Sequence, residues 1–159
     1  MVEPRRLTQA EWAALSPGLA RALRRARVSP AIIARAHPAA RLAGLWRGRT
    51  PILARPNSIW WPRAPADLAG DGRAMAVLQH ELQHVLDYAE GFLSAARYLA
   101  SPRHWTYACA LQPDLSWQAL GAEQRAALAE RFWLAEHGLS QEDPEAFRAL
   151  IPWARACAS

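Results

Sequence analysis

The stretch VLQHELQHVLDY, residues 77–88, contains two histidines four positions apart, with a glutamate directly after the first. Residues four apart lie on one face of an α-helix, so His80 and His84 can present imidazole nitrogens to a single metal ion. Glu81 is the next residue on the helix. Its carboxylate can take a proton from a water molecule near that ion without binding the metal itself.

Zinc suits this arrangement, because it takes imidazole nitrogens at about 2.0–2.1 Å. A catalytic zinc site uses three protein ligands and a water molecule, whose pKa falls to about 7. H-E-x-x-H on a helix is the pattern of zinc metallopeptidases. We therefore expect His80 and His84 as zinc ligands and Glu81 as the base that activates water to attack a peptide carbonyl.

A third ligand must come from another part of the chain, and three residues are candidates. Glu123 lies in the first turn of a second strong helical pattern, and the small residues Ala126 and Ala127 one turn on let that helix approach closely. Glu130 shares the face of Glu123, and His104 lies between the two helices. The sequence favours Glu123, with Glu130 and His104 as rivals.

Other polar residues have predicted supporting roles. Asp87, one turn past His84, suits a carboxylate that holds a ligating imidazole or, alternatively, a solvated acid. The metzincin pattern requires glycine at position 87 and His or Asp at position 90, whereas this chain has Asp87 and Glu90, so we expect the helix to continue. Tyr107 or His104 is a candidate donor to the reaction's oxyanion, and the alternative for Tyr107 is packing in the core.

The N-terminal part predicts helices over residues 8–28. Thr8 and Glu11 form a capping box for a helix that runs to about Leu15. Ser16 and Pro17 then begin a second helix through the arginine-rich stretch RALRRAR. The apolar stretch AIIARAH, residues 31–37, is predicted as a strand, although a helix fits its pattern nearly as well.

A β-hairpin is predicted from two short apolar runs separated by Arg55-Pro56-Asn57. Its strands are Thr50–Ala54 and Ser58–Trp61. Pro62 and Pro65 close the second strand, which we expect at a sheet edge because proline lacks an N–H for the ladder. The predicted sheet is small and antiparallel, and the fold class is α+β.

Three further helices follow from periodicity and end signals. The helix with the two histidines is predicted from about Gly72 to Glu90, with Gly91 at the position that favours a left-handed residue. The second ligand-bearing helix is predicted over about Ala122–His137, and a short C-terminal helix over about 143–151.

Composition bounds the class of protein. The 159 residues are 52% hydrophobic and 21% charged, which indicates one domain over residues 1–159 with a core from about 31 to 138. The sequence has no run of 18 apolar residues, so no membrane span is expected. Its start lacks an apolar stretch, so no signal peptide is expected, and the expected location is the cytoplasm.

The net charge of +5 comes from nineteen arginines and no lysine. Four arginines cluster in RALRRAR, at Arg21, Arg24, Arg25 and Arg27. Such a run can form a patch for phosphate or acidic lipid, but it is more often a solvated helix face, which we favour. No nucleic-acid partner is expected.

The motifs together resemble a known family. A hairpin followed by a helix carrying HELQH is similar to a minimal zincin, a fold in which the edge strand before the motif helix binds an extended peptide. More narrowly, LQHELQHVLDYAEG (78–91), HWTYACAL (104–111) and SWQALGAEQRAALAERFWLAEHG (116–138) resemble short bacterial zincin-like proteins labelled Vgr-related. Those are relatives of the metallopeptidase-like core domain found near contractile injection and type VI secretion systems. The resemblance covers about Ile32 to Gly138.

The resemblance implies a zinc-peptidase-like fold with His80, His84 and Glu123 as ligands and Glu81 as base. Asp87 is a departure, because those relatives tend to have glutamine there. The resemblance also implies a peptide or protein substrate and, as an alternative to the cytoplasm, export by a specialised secretion system. A second functional hypothesis is a catalytically inert, zincin-shaped metal-binding or interaction module of a secretion apparatus.

Overall fold

The computed structural model describes residues 3–41, 50–112 and 114–155. These residues form an α+β structure in which helices predominate. The helices are α1 (Gln9–Ala14), α2 (Pro17–Arg25), α3 (Gly72–Ala89), α4 (Ala95–Ala100), α5 (Ala122–Glu136), α6 (Pro144–Leu150) and α7 (Pro152–Arg155). The strands are β1 (Arg5–Arg6), β2 (Ala31–Ile33), β3 (Leu53–Arg55) and β4 (Ser58–Trp60).

The helices with clear end signals in the sequence are confirmed. The Thr8 hydroxyl accepts from the Glu11 backbone and the Glu11 carboxylate accepts from the Thr8 backbone, which is the predicted capping box of α1. Asp71 caps the N-terminus of α3, and Gly91 follows its C-terminus with a φ of 72°. The left-handed region is open to glycine without steric cost, so α3 ends where the sequence predicts.

The predicted hairpin is confirmed as β3 and β4, which pair antiparallel with Arg55 opposite Ser58. Asn57 in the turn has a φ of 59°, a conformation that asparagine tolerates better than most residues. Its side chain and carbonyl also accept hydrogen bonds from the backbone N–H groups of Ser29 and Ala31. The turn therefore ties the hairpin to the start of β2.

The prediction of an antiparallel sheet is wrong for one of its pairs. The strand order is β1-β2-β4-β3, and β2 runs parallel to β4. Parallel neighbours require a long connection, and residues 34–57, which include β3, supply it. The predicted strand over 31–37 is also shorter, because β2 ends at Ile33.

The predicted edge position of the second hairpin strand is wrong as well. β4 lies between β2 and β3, and β3 is at the edge of the sheet. Pro62 and Pro65 follow Trp60, the last residue of β4, so they remove no hydrogen bond from the ladder. Proline after a strand does not indicate an edge.

Helix α3 is the centre of the core. The stripe predicted for it is buried and consists of Met75, Leu78, Leu82, Val85 and Leu86. The helix contacts β3 and β4 of the sheet and packs most extensively against α5. Helix α5 also has the small buried residues Ala126 and Ala129, and small side chains allow packed helix axes to lie close together.

Other features of the surface match the sequence. All four arginines of RALRRAR are exposed, as a solvated helix face requires, and the Arg24 guanidinium lies 5.4 Å from the centre of the Trp12 ring.

None of the helices in the described part of the chain combines the length and apolar character that crossing a bilayer requires.

A buried carboxylate joins the N-terminal segment to the core. Glu11 is fully buried and accepts hydrogen bonds from Arg5 at 2.7 and 2.8 Å and from the backbone N–H groups of Thr8 and Leu68 at 2.8 and 2.9 Å. Burial by itself raises the pKa of Glu11, but these hydrogen bonds outweigh it and lower the pKa below its usual value of 4.5.

We expect Glu11→Gln to lower the free energy of unfolding by about 1.5–3 kcal/mol at pH 7, because charge-assisted hydrogen bonds to a buried carboxylate are lost. Since the folded pKa lies below the unfolded one, this contribution is present above pH 4.5 and disappears as the pH falls below it. Denaturant unfolding from pH 7 to pH 3 measures the difference between variant and wild type. Glu3→Gln, at an exposed position, is the control, and a difference that stays constant down to pH 3 would contradict the assignment.

Candidate metal centre

Three side chains from two helices converge at the contact between α3 and α5. The Oε2 atom of Glu123, in the first turn of α5, lies 3.3 Å from Nε2 of His80 and 3.3 Å from Nε2 of His84. One potential ligand atom from each residue lies within 4.8 Å of the other two. The structure thus brings the favoured third ligand to the two histidines of the motif.

The spacing of these atoms fits a small divalent cation. Ligand atoms placed about 2.0–2.1 Å from one ion at the corners of a tetrahedron are about 3.3–3.4 Å from one another. The two separations of 3.3 Å that involve Glu123 have this length. His80, His84 and Glu123 therefore form a group that can hold a metal ion.

Glu123 is held in this orientation by a residue that the sequence analysis did not identify. The Tyr98 hydroxyl donates to Oε1 of Glu123 at 2.7 Å, which leaves Oε2 facing the histidines. Tyr98 lies on α4, a six-residue helix with no buried residue, so it has no apolar stripe to predict it. The N-cap residue Ser94 is a sequence signal for the start of this helix, but an N-cap does not predict which distant residues the helix contacts.

The start of α5 is fixed by close contacts with the preceding segment. A Cβ atom on Gly121 would lie 1.9 Å from the Arg103 carbonyl oxygen, so only glycine allows this approach. The next residue, Ala122, donates its backbone N–H to Nδ1 of His104 at 3.1 Å. These contacts set where the first turn of α5 lies and, with it, Glu123.

His104 is therefore not part of the metal group. It is buried, packs edge-on against Phe92 with ring centres 5.5 Å apart, and uses Nδ1 to bind the first residue of α5. Burial and neighbouring arginines lower its pKa, which keeps the ring neutral and Nδ1 available as an acceptor. His104, predicted as a rival ligand and a candidate oxyanion donor, instead holds the first turn of α5 in place.

Glu130, the other rival ligand, lies on the far side of His80. Its Oε2 atom is 3.1 Å from Nδ1 of His80, whereas Nε2 of the same ring faces Glu123. Metal-binding histidines generally donate their second N–H to such a carboxylate, which fixes the tautomer and the ring orientation. Glu130 thus orients His80 and leaves Nε2 as the atom for a metal.

Hydrogen bonds to Glu123 and Glu130 determine the protonation state of His80. Burial lowers the pKa of His80, but hydrogen bonds to Glu123 and Glu130 outweigh it and raise the pKa to about 10. Hydrogen bonds from both histidines lower the pKa of Glu123 in spite of its burial. A metal ion at Nε2 would replace the proton on His80, because a ligating imidazole must be neutral.

Glu81 is buried beside the group without joining it. Burial raises the pKa of Glu81 above its usual value, although His84, His80 and a hydrogen bond from the Ala54 backbone act in the opposite direction. A carboxylate of raised pKa accepts a proton more readily than a solvated one.

Asp87 does not hold an imidazole as the sequence suggested, and it is not solvated either. It is fully buried, and its Oδ1 accepts from Gln83 at 2.9 Å and lies 3.5 Å from Arg125. Burial raises the pKa of Asp87 to about 6 against the effect of Arg125. Nδ1 of His84 and Oδ2 of Asp87 are both buried with no hydrogen-bond partner among the described residues, since Gln83 and Arg125 contact only Oδ1 of Asp87.

The group lies in a cleft of about 500 Å³ between α3, α4 and the edge strand β3. This volume is in the range of small-molecule and peptide sites. Tyr107, a candidate oxyanion donor, lines the cleft and stacks on His80 with ring centres 6.1 Å apart. It is 55% exposed, so it does not pack in the core.

We expect Glu123→Gln to weaken zinc affinity far more than Glu130→Gln, because an amide is a poor replacement for a ligating carboxylate. Loss of the partner of His80 should cost about 10–100-fold, the usual effect of a residue that orients a ligand, and loss of Glu123 should cost more. Competition titration with a chromophoric chelator measures both, and Glu145→Gln, on the distant helix α6, is the control. A larger effect at Glu130 than at Glu123 would exchange the two roles.

Comparisons with known proteins do not assign the chain to a family: no family model matches it, and neither curated proteins nor solved structures give a match.

Proposed function

We propose that the protein is a zinc-dependent metallopeptidase of the zincin-like type. The observation that carries the proposal is the convergence of His80, His84 and Glu123 on one point, with the Glu81 carboxylate beside them in the same cleft. Two imidazoles and one glutamate are the ligand set of a major class of zinc peptidases. Three protein ligands leave one position of a tetrahedral site for water or substrate.

Zinc supplies two effects when bound at such a site: it polarises a carbonyl group and lowers the pKa of a water molecule. The protein supplies the rest. Glu81 takes the proton from the attacking water and can pass it to the departing amine, because burial keeps its pKa raised. Glu130 holds the ring of His80, and Tyr98 holds the Glu123 carboxylate.

The edge strand supports a peptide as the substrate. β3 is the outer strand of the sheet and lines the cleft next to the metal group. Arg55 and Ser58 close the hairpin, so Ala54 occupies the next, non-hydrogen-bonded position and its backbone groups point away from β4. The Ala54 N–H already donates to Glu81, so the Ala54 carbonyl is the group with which a peptide would pair. An extended peptide that lies along this edge would bring a carbonyl group to Glu81, as the zincin resemblance implies.

The resemblance to Vgr-related proteins extends the proposal to a component associated with a secretion apparatus. The main alternative is a metal-binding module of the same shape without catalytic activity. The presence of Glu81 favours the enzyme, because an inert module has no need of a buried carboxylate beside the ligands.

We expect protein purified without chelators to contain close to one zinc per chain. Chelation should lower its melting temperature, because metal binding stabilises only the folded state. His84→Ala should lack the metal and show no further change with chelator. Mass spectrometry of metal content and thermal unfolding are the measurements, and wild-type protein with no bound divalent metal would refute the proposal.

The variant Glu81→Gln separates the enzyme from the inert module. It preserves size and shape but cannot accept a proton, so zinc content and melting temperature should stay near those of the wild type. Peptidase activity should fall by at least about 10²–10⁴-fold, the contribution of general-base catalysis. The assay is cleavage of a broad peptide library with mass-spectrometric readout. Equal cleavage by both proteins would assign the activity to another site, and absence of cleavage by both would favour the inert module.

A further inference from the structure

The metal cleft contains a cation that the proposed reaction does not use. Arg55, the last residue of β3, is partly buried and lines the cleft. Its guanidinium donates a hydrogen bond to the Tyr88 hydroxyl. None of the ion pairs in the described ranges involves Arg55. A partly desolvated guanidinium without a carboxylate partner has donors available for an anion.

Tyr88 relates the position of Arg55 to that of the metal group, because both Tyr88 and His84 lie on α3. Tyr88 is four residues past His84, which is about 6 Å along the helix axis. An extended peptide advances by about 3.3 Å per residue. A group that contacts Arg55 and Tyr88 would therefore be about two residues away from a carbonyl at the metal.

His37 adds a further donor at the same place. It lines the cleft, and its Nδ1 atom accepts from the Ala39 backbone at 3.1 Å. Burial and the charge of Arg55 lower the pKa of His37, so the ring is neutral. With Nδ1 acting as acceptor, the proton is on Nε2, so the ring has one N–H donor, and the ring plane is set by perpendicular packing with Trp60 at 4.8 Å between ring centres.

The remainder of the cleft, as far as the structure describes it, has no uncommitted acidic side chain to bind a basic substrate residue, and much of its surface is apolar. Among the residues that the structure describes, the acidic ones that line the cleft are Glu81 and Glu123, which the proposed reaction already uses as base and ligand. Several lining side chains are aliphatic: Ile52, Leu53, Leu93 and Leu99. The cleft thus combines apolar walls with one group of cationic and neutral donors.

We propose that Arg55, with Tyr88 and His37, forms a carboxylate-binding subsite, so that the preferred substrates are peptides with an apolar residue next to the scissile bond and a carboxylate about two residues from it. The inference rests on the proposed metallopeptidase function and names its substrate class. The carboxylate can belong to an acidic side chain or to the C-terminus of the peptide. A guanidinium binds either group through two parallel hydrogen bonds.

Three hydroxamate probes test the subsite without knowledge of the natural substrate. Each has a hydroxamate for the metal and an isobutylsuccinyl group, followed by leucine with a free carboxylate, leucine amide, or glutamate α-amide. Affinities for the zinc-loaded protein are measured by calorimetry. We expect the free-carboxylate probe, the glutamate probe or both to bind about 10–100-fold more tightly than leucine amide, the range of one or more charge-assisted hydrogen bonds. Preference for the first indicates a C-terminal carboxylate, and preference for the second an acidic side chain.

Variants assign the preference to Arg55. In Arg55→Gln the ratio of carboxylate to amide affinity should fall to within threefold of one, whereas Arg55→Lys should keep a reduced preference because it keeps the charge. Arg73→Gln, at an exposed position on α3 outside the cleft, should keep the full ratio. Zinc content and melting temperature show whether each variant is folded.

The outcomes separate the two proposals. If the zinc-loaded wild type binds all three probes equally, the carboxylate subsite is refuted and the metal centre stands. If folded Arg55→Gln with bound zinc keeps the full wild-type ratio, another group binds the carboxylate and the assignment is also refuted. If the zinc-loaded wild type binds none of the hydroxamates, the proposed metallopeptidase fails, and the subsite that rests on it fails as well.

Discussion

The close contact between α3 and α5 is the constraint on which the rest of the structure depends. The two helices form the most extensive contact between elements of the described structure, and across it the Glu123 carboxylate reaches both histidines of α3 at 3.3 Å. The contact also requires the start of α5 to lie against the segment at Arg103, which only Gly121 permits. A larger side chain at this interface would move Glu123 away from the two histidines even if the core stayed buried. Metal binding would suffer first, because metal–ligand distances tolerate shifts of only a few tenths of an ångström.

Burial makes this arrangement costly unless each polar group is satisfied. Hydrogen bonds reduce that cost for the buried groups. Tyr98 binds one oxygen of Glu123, Glu130 binds Nδ1 of His80, and the Ala54 backbone binds Glu81. A cation among the three side chains of the metal group would offset the remaining cost, because it would neutralise Glu123 and bind the Nε2 atoms of His80 and His84 that face this carboxylate. Burial raises the pKa of Glu81, so the enclosed position of this carboxylate beside the three side chains also favours proton transfer.

The sheet and the supporting residues show where sequence patterns mislead. Proline after Trp60 predicts an edge strand, yet β4 is internal, because a missing N–H beyond the last ladder bond has no effect on pairing. The spacing along α3 predicts that Asp87 lies on the same side of the helix as His84. In the structure, Oδ1 of Asp87 instead contacts Arg125 of α5 and accepts a hydrogen bond from the neighbouring Gln83. His104 had the right chemistry for a ligand and is instead the acceptor for Ala122. In each case a partner distant in sequence decided the role of the residue.

The sequence by itself determined the helices with caps and periodic stripes, the hairpin, the pair His80 and His84 with Glu81 beside them, and Glu123 as the favoured third member of the group. These features depend on local geometry: 3.6 residues per turn, left-handed positions at Gly91 and Asn57, and side-chain caps. Only the tertiary structure decided the parallel pairing of β2 with β4, the roles of Tyr98 and Glu130, and the place of Arg55 in the cleft. Those depend on distances between segments far apart in the chain, which no local pattern specifies because the packing of the whole core sets them.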